Sequence, residues 1–153
     1  FRASALDAAV NQTLTSYGFK PIDVSQVASR FPGFDLEAFK QDFTFSDELD
    51  PDTKNNAFNA IAGKIPILII ATVDIGVKDI DENGGGLDRV AAVVTAQVFK
   101  DDGMFYETVA SVEPTLFRGL GENQTVAETN ALIKAARKAS TEIVQQLNAA
   151  GIQ

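Results

Sequence analysis

Residues 79–89 read DIDENGGGLDR, and carboxylates with an amide at alternate positions are the ligand types of a hard cation such as calcium. Asp79, Asp81 and Asn83 match the first, third and fifth positions of an EF-hand loop, and Gly84 matches the sixth. The match then fails. The twelfth position, which must supply a bidentate glutamate, is Val90, and the eighth is Gly86 in place of an aliphatic residue. The flanks carry strand patterns where an EF-hand needs helices, and glycine with acidic residues is what an exposed strand connection collects. The stretch is therefore expected to join two strands and to hold no metal.

Other groups invite chemistry and are set aside for stated reasons. The carboxylate pairs Asp101/Asp102 and Asp47/Glu48 would suit acid–base catalysis only if one pKa were raised above the other, and both lie in polar, turn-like runs where water keeps them ionised. The run RGLGEN at 118–123 precedes a helix but lacks the lysine of a phosphate-binding loop, so a flexible connection is expected. Asn11 and Asn123 begin N-x-T triplets, but Asn11 falls within an expected helix. The chain has no Cys and no His, which removes the thiol nucleophile and the residue that most often serves as a general base near neutral pH. The reading is a non-enzymatic chain with no catalytic residues, no metal and no cofactor.

Residues 31–52, FPGFDLEAFKQDFTFSDELDPD, set five phenylalanines among seven acidic residues. Aromatic anchors carry much of the energy of protein interfaces, and a polar surround keeps water from them. Phe34, Phe39, Phe43, Phe45, Asp47 and Glu48 are therefore assigned to a partner-binding surface. The competing account is burial, because Phe39 and Phe43 stand one helical turn apart and large apolar residues ordinarily close a core.

The elements that must position these residues follow from patterning. Ala3, Leu6, Val10, Leu14 and Tyr17 recur at spacings of three and four, the stripe of an amphipathic helix over 2–17, with Gly18 as its stop. Residues 19–24 read as a short strand, although Pro21 restricts it to an edge or a start. Ser25 is expected to cap a short helix, Asp35 a helix over 36–43, and Asp50 with Pro51 a helix ending near Gly63. Residues 67–71 are apolar on both parities, as in a central strand covered on both faces, and 74–78 alternate. Val90, Ala92, Val94, Ala96 and Val98 alternate along a long strand, Asp101-Asp102-Gly103 signals a hairpin, and residues 105–112 complete a meander that Pro114 should end. A capping box at 125–128 opens a closing helix whose stripe is Leu132, Ala136, Ala139, Ile143 and Leu147, with Gly151 as its stop.

The expected class is α/β in the α+β sense: one domain of 153 residues with a mixed sheet, a three-stranded antiparallel meander, covering helices and a long C-terminal helix. The 19–24 strand would lie parallel to the 67–78 strand. An apolar fraction of 45% suits a single core, and a net charge of −8, from 21 acidic and 13 basic residues, argues against nucleic acid. No run reaches the roughly 20 apolar residues of a transmembrane helix. Phe1 cannot be an initiator, so a signal peptide or lipid anchor upstream is compatible with the sequence.

This order of elements resembles a bacterial envelope group: the amino-terminal domain of TolB, the curli-secretion lipoprotein CsgG, the penicillin-binding-protein activator lipoproteins and the middle domain of flagellar assembly protein T. The likeness lies in YGFKPID at the end of the first helix, IPILIIATVDI, VAAVVTAQVFKDDG and the closing TVAETNALIKAARKASTEIVQQL. It implies a first strand upstream of Phe1, an insertion at 30–50 and a scaffolding role in the periplasm or at the outer membrane. The partners implied are other envelope proteins or further copies of the chain. The alternative is a small-ligand or calcium-binding periplasmic domain.

Overall fold

A computed structural model describes residues 2–46, 48–76, 79–81 and 85–152. In chain order they form α1 (Arg2–Ser16), α2 (Val24–Arg30), α3 (Leu36–Phe45), α4 (Pro51–Ile61), β1 (Ile67–Ile75), β2 (Asp79–Asp81), β3 (Leu87–Asp101), β4 (Tyr106–Gly121) and α5 (Gln124–Ala149). The class is α+β. One sheet is built on β3, which pairs with β1, β2 and β4. The chain divides into two compact units: Phe1–Lys20, Ile69–Val98 and Val109–Gln153 form one, and Pro21–Leu68 with Phe99–Thr108 form the other. The 30–50 stretch belongs wholly to the second unit.

In the first unit, α5 covers the sheet. Its expected stripe is buried throughout, at Leu132, Ala136, Ala139, Ile143 and Leu147, and Ala127, Ala131 and Ala135 add a row of small side chains. The β3 face alternates as expected, with Val90, Ala92, Val94, Ala96 and Val98 buried. Ala92, Ala131 and Leu132 form a cluster with Val73 and Ile75 against it. α1 packs on α5, using Ala9 and Leu14. Gly18, at φ +91°, ends α1, with the Phe19 N–H on the Leu14 carbonyl at 3.1 Å, a six-to-one closure that needs a left-handed residue. Tyr17, expected in the stripe, is exposed. Ala3 and Leu6 belong to that stripe too, but their side chains lie outside the described residues.

The β1–β3 ladder is antiparallel, with the Gly76 N–H donating to the Ala91 carbonyl at 2.7 Å and the hydroxyls of Thr72 and Thr95 hydrogen-bonded across it. β2 continues on β3 with Asp79 opposite Arg89 and Asp81 opposite Leu87.

The second unit packs Val27, Phe34, Ala57 and Ile61 into a core, with Phe31, Leu36, Phe39, Ile65 and Tyr106 against it. Capping fixes its helices. Asp23 accepts from the Ser25 N–H at 2.8 Å, Asp35 from the Glu37 N–H at 3.0 Å, and Asp50 from the Asp52 N–H at 2.9 Å, with Pro51 at the first helical position. Each bond satisfies a donor that the first helical turn leaves orphaned. Phe58 lies between Phe99 and Tyr106, with ring centroids 5.1 and 4.7 Å away.

Several expectations are corrected. Residues 19–23 form no strand, so the sheet is antiparallel among the described residues and not mixed. Pro21 has no N–H to give a ladder, and Asp23, not Ser25, starts the next helix. Among the described residues β1 pairs only with β3, and none of its residues is fully buried, so it is not central. β4 runs through Pro114 to Gly121; among the described residues it pairs only with β3, and an edge strand tolerates a residue without an N–H. α5 begins at Gln124 on the cap Asn123, whose side chain accepts from the Val126 N–H at 3.0 Å, ahead of the expected capping box.

Candidate functional site

The docking segment proposed from sequence divides into an inside and an outside. Phe34 is 2% exposed and stacks on Phe39 at 5.2 Å, so it is core and unavailable to a partner. Phe39 and Phe43 are half-buried. Phe45, the last residue of α3, is 87% exposed, more than any other large apolar side chain among the described residues. Phe39 and Phe43 are four residues apart and share a face, whereas Phe45, two residues further on, falls about 200° round the helix. That displacement was legible in the spacing.

The chain after Phe45 is held by side chains accepting from its backbone. The Ser46 hydroxyl accepts from the Glu48 N–H at 3.2 Å, and Asp42 accepts from the Asp50 N–H at 3.1 Å. Glu48, Asp50 and Asp52 are exposed, and none carries a positive partner among the described residues. Asp47 lies outside the described residues. The result is a bare aromatic ring followed by a short run of solvated carboxylates on an ordered support.

The carboxylate pair of the hairpin does structural work. Asp101 accepts from the Gly103 N–H at 2.9 Å and from the Gly63 N–H at 2.8 Å, tying the hairpin to the end of α4. Asp102 accepts from the N–H groups of Phe105 and Met104 at 2.7 and 2.8 Å. The Phe105 bond, then the Met104 bond, holds its carboxyl below the usual range, while a hydrogen bond to Asp102 and its charge raise Glu107. One acid is thus lowered and a neighbour raised, a split the sequence did not show. Both carboxyls are exposed, and the bonds that Asp102 accepts hold the hairpin turn. Burial, and then the charge of Asp101, pushes the Tyr106 phenol up to about 12, and its hydroxyl donates to the Ile65 carbonyl at 2.6 Å.

The metal-like stretch is in part a strand, since Asp79 and Asp81 lie in β2 on the β3 ladder. Asn83 and Gly84 lie outside the described residues. Among the described residues no group of three or more His, Cys, Asp or Glu side chains could hold a metal ion. Residues 118–121 of the expected flexible connection are instead the end of β4, where Gly119 and Gly121 are buried. A Cβ on Gly119 would collide with the backbone of Ala127 and Ala131, and one on Gly121 would stand 2.6 Å from the Ala127 nitrogen. Glycine is required there so that strand and helix backbones can approach.

Two shallow depressions remain. One, of about 590 Å³, lies in the second unit between Arg30, Asp35, Asn56 and Lys64, with the Lys64 ammonium 5.0 Å from the Phe31 ring. The other, of about 460 Å³, lies along α5 and is lined by Asn130, Ile133, Lys134, Arg137, Lys138 and Thr141. No motif in the sequence marks this second site, yet its composition carries a signal. Three of the 13 basic residues fall within 134–138, and no acidic residue lies between Glu128 and Glu142.

No family model matches the chain, and neither characterised proteins nor solved structures give a match.

Proposed function

We propose that the chain is a non-enzymatic protein-interaction or scaffolding domain of a bacterial cell-envelope assembly, periplasmic or outer-membrane-associated, and that it engages its partner through Phe45 and the acidic run after it. The observation that carries the interaction is Phe45, an aromatic side chain 87% exposed on a capped and hydrogen-bonded support. A bare aromatic costs solubility and contributes nothing to this core, whereas buried in a partner's pocket it supplies the kind of anchor that dominates interface energy. Glu48, Asp50 and Asp52 then set the sign of the surface it meets. The absence of His and Cys from the sequence, and hairpin carboxyls that stand in open solvent, support the non-enzymatic reading. The envelope setting rests on the resemblance of the helix and strand sequences to the TolB-like group.

The test is affinity capture from envelope extracts of the source cells with the wild-type chain, Phe45→Ser, and Phe105→Ser as a second exposed position. The account expects a discrete set of proteins with the wild type and Phe105→Ser, and its loss with Phe45→Ser. Equal capture by all three would overturn the docking segment. Fractionation that finds the native chain outside the envelope would overturn the setting.

A further inference from the structure

We propose that the depression on α5 bounded by Lys134, Arg137 and Lys138 receives Phe45 and the acidic run of a second copy of this chain. The proposal rests on the reading of Phe45 as a docking residue and names what that residue docks into.

The two surfaces are complementary in charge and in layout. Lys134, Arg137 and Lys138 stand at i, i+3 and i+4, so they share one side of α5. All three are exposed, and none of their side chains is paired with another described residue. In a chain of net charge −8 this is the densest positive cluster. The floor between them is the half-buried Ile133 and Thr141, to which the aliphatic stems of the lysines add apolar surface. An apolar floor ringed by cations suits an aromatic ring followed by carboxylates. Phe45 with Glu48, Asp50 and Asp52 is that sequence, and the Arg137 guanidinium can lie over the ring while the lysines meet the acids.

The occupant is a second copy because one chain carries both halves. The halves are different surfaces, so the contact is head-to-tail and continues beyond a dimer unless it closes into a ring. Its salt dependence is distinctive. General repulsion between copies of a strongly acidic chain weakens as salt is added, which would promote association. Pairing of the acidic run with the α5 cations weakens as salt is added, which opposes it.

The experiment is sedimentation velocity of the whole chain across micromolar to millimolar concentrations at low and high salt. The variants are Phe45→Ser, Lys134→Glu/Lys138→Glu and Glu48→Lys/Asp52→Lys, each first shown to melt as the wild type does. The wild type is expected to self-associate with concentration, less so at high salt. Each variant should associate roughly tenfold more weakly, the effect of losing two exposed ion pairs or one aromatic anchor. Mixing the two charge-reversed variants should restore association beyond that of either alone. A wild type that stays at 16.4 kDa at every concentration would overturn the proposal, as would association strengthened by salt or indifferent to both sets of substitutions. A monomeric wild type whose envelope capture still depends on Phe45 would refute docking on a second copy and leave the docking segment standing. A monomer with no Phe45-dependent capture would refute both.

Discussion

Gln146 of α5 meets Ser111 of β4 through both ends of its amide: Oε1 accepts from the Ser111 N–H at 2.8 Å, and Nε2 donates to the Ser111 carbonyl at 2.6 Å. A residue in an antiparallel strand presents its N–H and C=O to the same edge. The amide therefore stands where a neighbouring strand would stand, on a strand that pairs only with β3. Asn130 repeats the device further along β4, donating to the Leu120 carbonyl at 2.6 Å. Two amides of one helix thus occupy an edge that would otherwise be open to pairing with another chain.

Gln146→Ala is accordingly expected to lower stability by about 1–2 kcal/mol, the net worth of two hydrogen bonds at a solvent-facing site. Gln146→Glu, which keeps an acceptor but loses the donor, should fall between. Urea denaturation at neutral pH measures both. A loss below roughly 0.3 kcal/mol for the alanine variant would mean that water serves Ser111 equally well.

Ser140 and Ile143 lie one turn apart on the buried side of α5 and should respond in opposite directions. The Ser140 hydroxyl is buried with no hydrogen-bond partner among the described residues, and such a group costs about 1–3 kcal/mol. Ser140→Ala should raise the melting temperature. Ile143 is 3% exposed, and Ile143→Ala should cost about 2–5 kcal/mol. Calorimetry of the two variants beside the wild type decides both, and a destabilised Ser140→Ala would show that the hydroxyl is satisfied in solution.

Tyr106 should set the alkaline limit of the fold. Burial favours its neutral form, so its folded pKa, about 12, lies above the ordinary value near 10 of the unfolded chain. The resulting stabilisation is complete below about pH 10 and is lost as the pH rises through about 12. Absorbance titration of the two tyrosines should show a late phenolate step near 12 that Tyr106→Phe removes. The denaturation midpoint should fall between pH 10 and 12 more steeply in the wild type than in that variant. A single step near 10 would contradict the assignment.

The sequence was most readable where local rules decide. Asp35 and Asp50 cap the helices their positions announced, the β3 alternation from Val90 to Val98 faces the core, and the α5 stripe is buried residue for residue. It misled where distant partners decide. The run 67–71 is apolar on both parities and reads as a doubly covered strand, but β1 received only one neighbour. Gly119 and Gly121 look like a flexible joint until the backbone of α5 is placed against them. In the candidate site, composition located the aromatic and acidic segment and helical spacing set Phe45 apart from Phe39 and Phe43, but which side lies inside follows only from the packing of Phe34 into the core.

The central claim is that Phe45 is a docking residue, and the most direct measurement is site-specific photocrosslinking in the source cells. A photoreactive phenylalanine analogue is placed at position 45, and at the exposed position 20 as reference. The account predicts discrete protein adducts at 45, whether with another envelope protein or with a second copy, that are absent at 20 and diminish when Glu48 and Asp52 are changed to Lys. Adducts no more abundant at 45 than at 20, or unaffected by reversing those charges, would contradict it.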